Sequence, residues 1–194
     1  MTDTLLSRHP DGRKQRSERS RLAIIDAMLD LIMGGKMEPS AAEIADRAGV
    51  SARTVFRHFE EMDSLYSEMT ERMEAEIMPV IQQPFTAQGW RAQLDQLLER
   101  RAMIYERIMP LKIAASIRRF GSDYLMKNYQ RFLHLERVGL ENVLPDSALK
   151  DATLLSAIEM CAGFQTWRRL RQDQNLDVEQ ARDVVRLTIM KLLD

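Results

Sequence analysis

The sequence predicts an all-α protein of about nine helices, with a compact three-helix unit at the N-terminus and a larger helical domain after it. Three observations lead there. Apolar residues recur at steps of three and four almost throughout, and no useful stretch alternates with the period of two that a half-buried strand needs. The 194 residues hold only 8 Gly and 6 Pro, too few for a turn-rich β protein or a disordered one. Hydrophobic residues make up 45% and charged residues 29%, so a chain of this length can bury a sizeable core.

Each element follows from its own signals. Leu22, Ile25, Leu29 and Ile32 step by three and four, and Gly34-Gly35 stops that helix. Ser40 with Glu43 reads as a capping box opening a short helix over 41–48, which Gly49 ends. Ser51 caps the next short helix, 52–58. An acidic helix starts near Met62 and runs through Leu65, Met69, Met73 and Ile77 until Pro79 or Pro84 ends or kinks it. Further helices are expected over 87–108, from Pro110 to Phe120, over 123–143, over 148–171 behind Pro145-Asp146-Ser147, and over 178–193 behind Asn175-Leu176-Asp177.

Charge is balanced overall and uneven locally. The net charge of −1 excludes a protein that binds nucleic acid with its whole surface. Residues 8–21 carry Arg8, Arg13, Lys14, Arg16, Arg19 and Arg21 against Asp11 and Glu18, six cations against two acids, net +4. Residues 59–80 carry seven acids against Arg72, net −6. Residues 1–16 are therefore expected to form a flexible basic arm. The single cysteine, Cys161, excludes an intrachain disulfide and a cysteine-rich zinc site. Without a long apolar run or an apolar leader segment, a cytoplasmic protein with no membrane partner is expected.

The segment Ser40–Phe59 carries a mechanism. Two short helices joined by a tight glycine turn make a helix-turn-helix. Ile44, Ala45, Ala48, Val50, Val55 and Phe59 form its inner face, and Gly49 sits where the turn needs a positive φ. Arg53 and Arg57, four residues apart, then point outward, with Thr54 and His58 in the adjacent row. Two guanidiniums and a threonine methyl are groups that read base edges in a major groove. Ser40, Ser51, Ala52 and His58 would meet the phosphate backbone, the helix start at Ser51-Ala52 through its free amides. Arg13, Lys14 and Arg16 would follow an adjacent minor groove.

Residues 17–69 resemble the DNA-binding domain of the TetR family of bacterial transcriptional regulators. The resemblance rests on the helix ending in Gly34-Gly35, on Ser40-Ala41-Ala42-Glu43-Ile44-Ala45-Asp46-Arg47-Ala48-Gly49-Val50-Ser51, and on Thr54-Val55-Phe56, His58-Phe59 and Leu65. Beyond it the likeness lies in helix number and order, and in the ending Trp167-Arg168-Arg169-Leu170-Arg171-Gln172-Asp173-Gln174. The resemblance implies an all-α homodimer that binds an inverted-repeat DNA operator, and a repressor released when a small apolar or amphipathic molecule enters the C-terminal domain. It implies a division into 17–61, the DNA-binding domain, and 62–194, the regulatory and dimerisation domain. The sequence departs from the family pattern at three positions that usually touch phosphate. Phe56 stands where a tyrosine is frequent and keeps the ring without the hydroxyl. Met62 stands where a lysine is usual, and Ala42 replaces a side chain that reaches phosphate.

The methionine-rich remainder suggests an adaptable apolar cavity, with Met69, Met73, Trp90, Met103, Met126, Tyr129, Phe132, Met160 and Phe164 as candidate lining. Arg118 and Arg119 are read as solvent-facing or in surface ion pairs, with a polar anchor for an anionic ligand as the alternative reading. Leu154, Leu155, Ile158, Cys161, Ala162 and Gln165, with Val178, Ala181, Val185, Ile189 and Leu192, supply more apolar positions than one core-facing stripe needs, and suggest a four-helix interface between two copies. His9, His58 and His134 are far apart, and no HExxH, P-loop, GxGxxG or GxSxG motif occurs, so no enzyme and no cofactor are expected. The alternative is a helical homodimer that acts through protein contacts and binds DNA weakly. A DNA-binding activator without an inducer is a third possibility.

Overall fold

The computed structural model describes residues 12–59 and 62–194, and every regular element among them is helical. The helices are α1 Gly12–Met33, α2 Ala41–Ala48, α3 Ala52–His58, α4 Met62–Ile81, α5 Trp90–Arg118, α6 Asp123–Glu141, α7 Asp146–Leu149, α8 Ala152–Ala162, α9 Phe164–Arg168 and α10 Val178–Leu193. A 3-10 turn, Arg119–Gly121, links α5 to α6, and a π turn, Arg169–Asp173, extends α9.

The N-terminal unit is built as its signals require. The Glu43 amide donates to Ser40 Oγ (3.2 Å), and the Ser40 amide donates to Glu43 Oε2 (2.8 Å), which closes the capping box. Gly49 takes φ 66°, and the Val50 amide turns back to the Ala45 carbonyl at 3.0 Å. A side chain at position 49 would be strained in that conformation. Ile44, Ala45, Val55 and Phe59 are buried in the same core as Ile24, Ile25, Met28 and Ile32 of α1.

Three expectations change. Helix α1 begins at Gly12, so positions 13–16 belong to a helix rather than a free arm. Arg, Lys and Gln are good helix formers, and no breaker follows Gly12. Residues 1–11 and the side chains of Arg13 and Met62 lie outside the described residues. The helices expected on either side of Pro110 are one helix, α5. Pro110 removes a single backbone donor, while Ile108, Met109, Leu111 and Ala114 keep the buried stripe continuous across it. Pro79 lies in the last turn of α4, where the helix continues to Ile81.

The helix expected over 148–171 is instead broken twice. Asp151 caps α8 by accepting from the Thr153 and Leu154 amides, both at 3.0 Å. At Gly163 the backbone is extended, and a Cβ there would stand 3.1 Å from the Glu159 carbonyl. The break turns backbone groups toward a buried cluster. Arg101 donates to the Ala162 carbonyl (3.0 Å) and to the Glu136 carbonyl, and the Phe164 amide donates to Glu136 Oε1 (2.8 Å). The Tyr105 hydroxyl lies between Glu136 Oε1 and the Ala162 carbonyl. Burial pushes the Glu136 carboxyl above its ordinary range, against the pull of Tyr105, Arg101 and Phe164. Satisfied in this way, the polar cluster ties α5, α6 and the α8–α9 junction together.

Candidate functional site

Two surfaces and one cavity are the candidates for a functional site. On the first surface, α3 presents Ser51, Ala52, Arg53, Phe56 and Arg57 to solvent, and Ser40 is exposed at the start of α2. Phe56 is 62% exposed. Neither Arg53 nor Arg57 pairs with a described acid. Lys14 and Arg16 are exposed on α1, where Arg16 Nε donates to the Gly12 carbonyl at 3.0 Å.

The adjacent row differs from the expectation. Thr54 and His58 are half-buried. Thr54 Oγ1 lies 2.9 Å from Ser51 Oγ, which also accepts the Thr54 amide at 3.2 Å, so the threonine hydroxyl serves the helix cap. His58 Nε2 is buried without a hydrogen-bond partner among the described residues. Burial, then the charges of Arg57 and Arg21, lower its pKa below the ordinary histidine value.

The cavity lies between α4, α5 and α6 and has a volume of about 440 Å³. Met73, Ile77, Met78 and Ile81 of α4 face Leu97, Ile104, Ile108 and Lys112 of α5 and Phe132 and Leu135 of α6, with Phe85 at one end. Of the candidate lining residues, Met73 and Phe132 are there. Met69, Trp90, Met103, Met126, Tyr129, Met160 and Phe164 are not. Met69 is wholly buried in the core, while Met103 (56% exposed) and Met160 (69% exposed) face outward. Trp90 sits at the start of α5 with the Arg91 guanidinium 4.2 Å above its ring. Met126 is half-buried, and Tyr129 lies under Arg119 at 4.0 Å. Phe164 packs edge-on against Tyr105, ring centroids 5.6 Å apart. Arg118 is exposed, as read, whereas Arg119 is half-buried.

Composition alone did not single out the charged residues of the wall. A signal was nevertheless present: Leu97, Arg101, Tyr105, Ile108 and Lys112 step by four, four, three and four, so two cations interrupt an apolar stripe. Lys112 holds its ammonium 3.6 Å from the centroid of Phe132 and 5.9 Å from that of Tyr129. Burial lowers its pKa to about 8, partly offset by Glu136.

The second surface belongs to α8 and α10. Leu155, Ile158, Ala162, Ala181, Val185 and Ile189, candidates for an intersubunit face, are buried within the chain because α8 and α10 pack on each other and α10 packs on α5. Leu154 and Cys161 are half-buried, and Gln165, Val178 and Leu192 are exposed. The outward apolar residues here are Met160, Val178, Val184, Leu187 and Leu192, with Leu187 62% exposed. Among the described residues, no group of three His, Cys, Asp or Glu is placed to hold a metal ion, and no helix is long and apolar enough to cross a membrane.

Comparison with known proteins agrees with this geometry. The family model for bacterial regulatory proteins of the tetR family matches residues 24–69, the span from mid-α1 to mid-α4. No curated protein matches the chain. A transcriptional regulator from Rhodococcus sp. Rha1 superposes with a TM-score of 0.63 at 20% identity, covering 91% of this chain and 95% of its own. A Mesorhizobium loti protein assigned to the TetR family of transcriptional regulators superposes with a TM-score of 0.55 at 16% identity, covering 92% and 96%. Residues 24–69 thus match the family model for bacterial regulatory proteins of the tetR family, and the chain as a whole shares the fold of these two solved structures.

Proposed function

We propose that the protein is a homodimeric, sequence-specific transcriptional repressor whose DNA affinity falls when a small apolar or amphipathic molecule enters the cavity between α4, α5 and α6. The observation that carries the DNA-reading part is α3: a capped helix with Arg53 and Arg57 exposed side by side beyond a buried Val55 and Phe59. In this reading 17–61 is the DNA-binding domain, 62–194 the regulatory domain, and Arg53 and Arg57 contact bases in the major groove. Thr54 contributes its methyl, while Ser40, Ser51, Ala52 and the Phe56 ring lie against the backbone. Lys14 and Arg16 extend the basic surface along α1.

Response to a ligand rests on α4. Its Met73 and Ile77 border the cavity, and its Arg72 and Glu68 pair with Asp26 and Arg21 of α1. A molecule that displaces α4 moves α1, and with it the separation of the two recognition helices of a dimer, which must match half-sites about 34–36 Å apart. Met160, Val184 and Leu187 form the apolar part of the proposed subunit contact.

The test is recovery and sequencing of genomic DNA bound by the purified protein at physiological salt. The reading requires one or a few enriched inverted repeats. Uniform recovery would favour a dimer acting through protein contacts, in line with the residues Ala42, Phe56 and Met62 where phosphate contacts are usual.

A further inference from the structure

The cavity wall carries more charge than its apolar lining suggests. Four cations, Arg100, Arg101, Lys112 and Arg131, face two carboxylates, Glu74 and Glu136, which leaves a net +2. Three of the cations have oxygen acceptors. Arg131 donates to Glu74. Arg100 donates to the Gln83 and Pro84 carbonyls, and Arg101 to those of Ala162 and Glu136. Glu136 is itself taken by the Tyr105 hydroxyl and the Phe164 amide. Lys112 differs from the others. Its ammonium rests on the Phe132 and Tyr129 rings and makes no hydrogen bond or ion pair with any described residue.

An ammonium held among apolar side chains, with Glu136 and Glu74 attracting it only from beyond ion-pair reach, is unfavourable, and aromatic faces offset that only in part. A ligand that brings its own anion relieves the penalty on entry. A cationic ligand would meet the net positive wall and find both carboxylates engaged. We propose that the cavity takes an amphipathic organic acid, with its carboxylate against Lys112 and its apolar body along Met73, Ile77, Ile104 and Leu135. The inference rests on the cavity being the effector site and adds the charge of the effector.

Three probes of one chain length separate the possibilities: dodecanoate, dodecanol and dodecyltrimethylammonium, each titrated calorimetrically into the full chain near pH 7. Dodecanoate is expected to bind about tenfold or more tighter than dodecanol, the worth of a charge-assisted hydrogen bond. K112M keeps an unbranched side chain on Phe132 without the charge. It is expected to weaken dodecanoate by about the same factor and to leave dodecanol within about twofold, while K112R restores the preference. Equal binding of acid and alcohol by the native chain, or undiminished binding of the acid by K112M, would overturn the anionic assignment and leave the cavity as an apolar effector site. Preference for the ammonium probe would also overturn it. If none of the three binds, the effector-site reading fails and the inference falls with it.

Discussion

Arg21 on α1 donates a hydrogen bond to Glu68 on α4, tying the helix-turn-helix unit to the helix that borders the cavity. Burial nevertheless raises the Glu68 carboxyl above its ordinary range, outweighing the attraction of Arg21. A carboxyl raised on folding contributes stability that is fully present below its unfolded value and is lost as pH rises through its folded value. E68Q should therefore match the native chain near pH 4 and equal or exceed it in thermal stability near pH 7. A loss of more than about 1 kcal/mol in E68Q at neutral pH would mean that the ion pair outweighs its own burial.

Lys112 titrates in the opposite sense. Its pKa is lowered to about 8, first by burial and then by Arg119 and Arg131, against the pull of Glu136 and Glu74. A lowered lysine contributes stability above its unfolded value of about 10.4 and loses it as pH falls through about 8. Without ligand, K112M should be more stable than the native chain at pH 7, by up to about 3 kcal/mol, with the gap closing above pH 10. Denaturant unfolding at the two pH values measures this. A K112M variant less stable at neutral pH would show that the aromatic contacts dominate.

The guanidiniums of α3 carry the proposed base readout. R53A and R57A should each lower affinity for the recovered inverted repeat by about 1–3 kcal/mol and broaden the base preference at one position per half-site. Binding assays on a saturating set of operator variants provide the readout. Unchanged sequence preference in both variants would move recognition away from this face.

Phe56 is exposed on the same helix as Arg53 and Arg57. F56Y adds one hydroxyl within reach of the backbone in the proposed pose. It should tighten DNA binding by about 0.5–1.5 kcal/mol, without steepening the salt dependence because no charge is added. Titration at several salt concentrations separates affinity from slope, and a steeper slope would contradict the proposed contact.

Glu106 joins α5 to the C-terminal turn by accepting from Trp167 Nε1 (2.8 Å) and from Arg171 Nε (2.8 Å) and Nη2 (3.0 Å). Burial would raise its pKa, but the hydrogen bonds from Arg171 and Trp167 together hold it below the ordinary range. This contribution is present above the unfolded carboxyl value and is lost as pH falls through the folded one. E106A should cost about 1–3 kcal/mol by leaving the indole N–H and the guanidinium without their acceptor. Tryptophan fluorescence during unfolding follows it, and a neutral effect would show that water replaces the carboxylate.

The sequence by itself determined the helix-turn-helix. Ser40, Glu43, Gly49, Ser51, Val55 and Phe59 act within one or two turns of one another, so caps, turn and inner face could be read from spacing, and the outward places of Arg53 and Arg57 followed. Tertiary structure decided what depends on distant partners. Thr54 turns to the Ser51 cap and His58 is half-buried, which local spacing does not reveal. Helix α5 continues through Pro110 because its buried stripe outweighs one lost donor, and the chain breaks at Gly163 where Glu136 and Arg101, 27 or more residues away, accept and donate to the freed backbone. The cavity lining was legible only at Met73 and Phe132, for the same reason. A methionine at helical spacing faces a cavity, a core or solvent according to which helix lies opposite, and only the packing of α4 and α6 on α5 sets Met73 and Phe132 beside Lys112 while leaving Met69 in the core and Met160 in water.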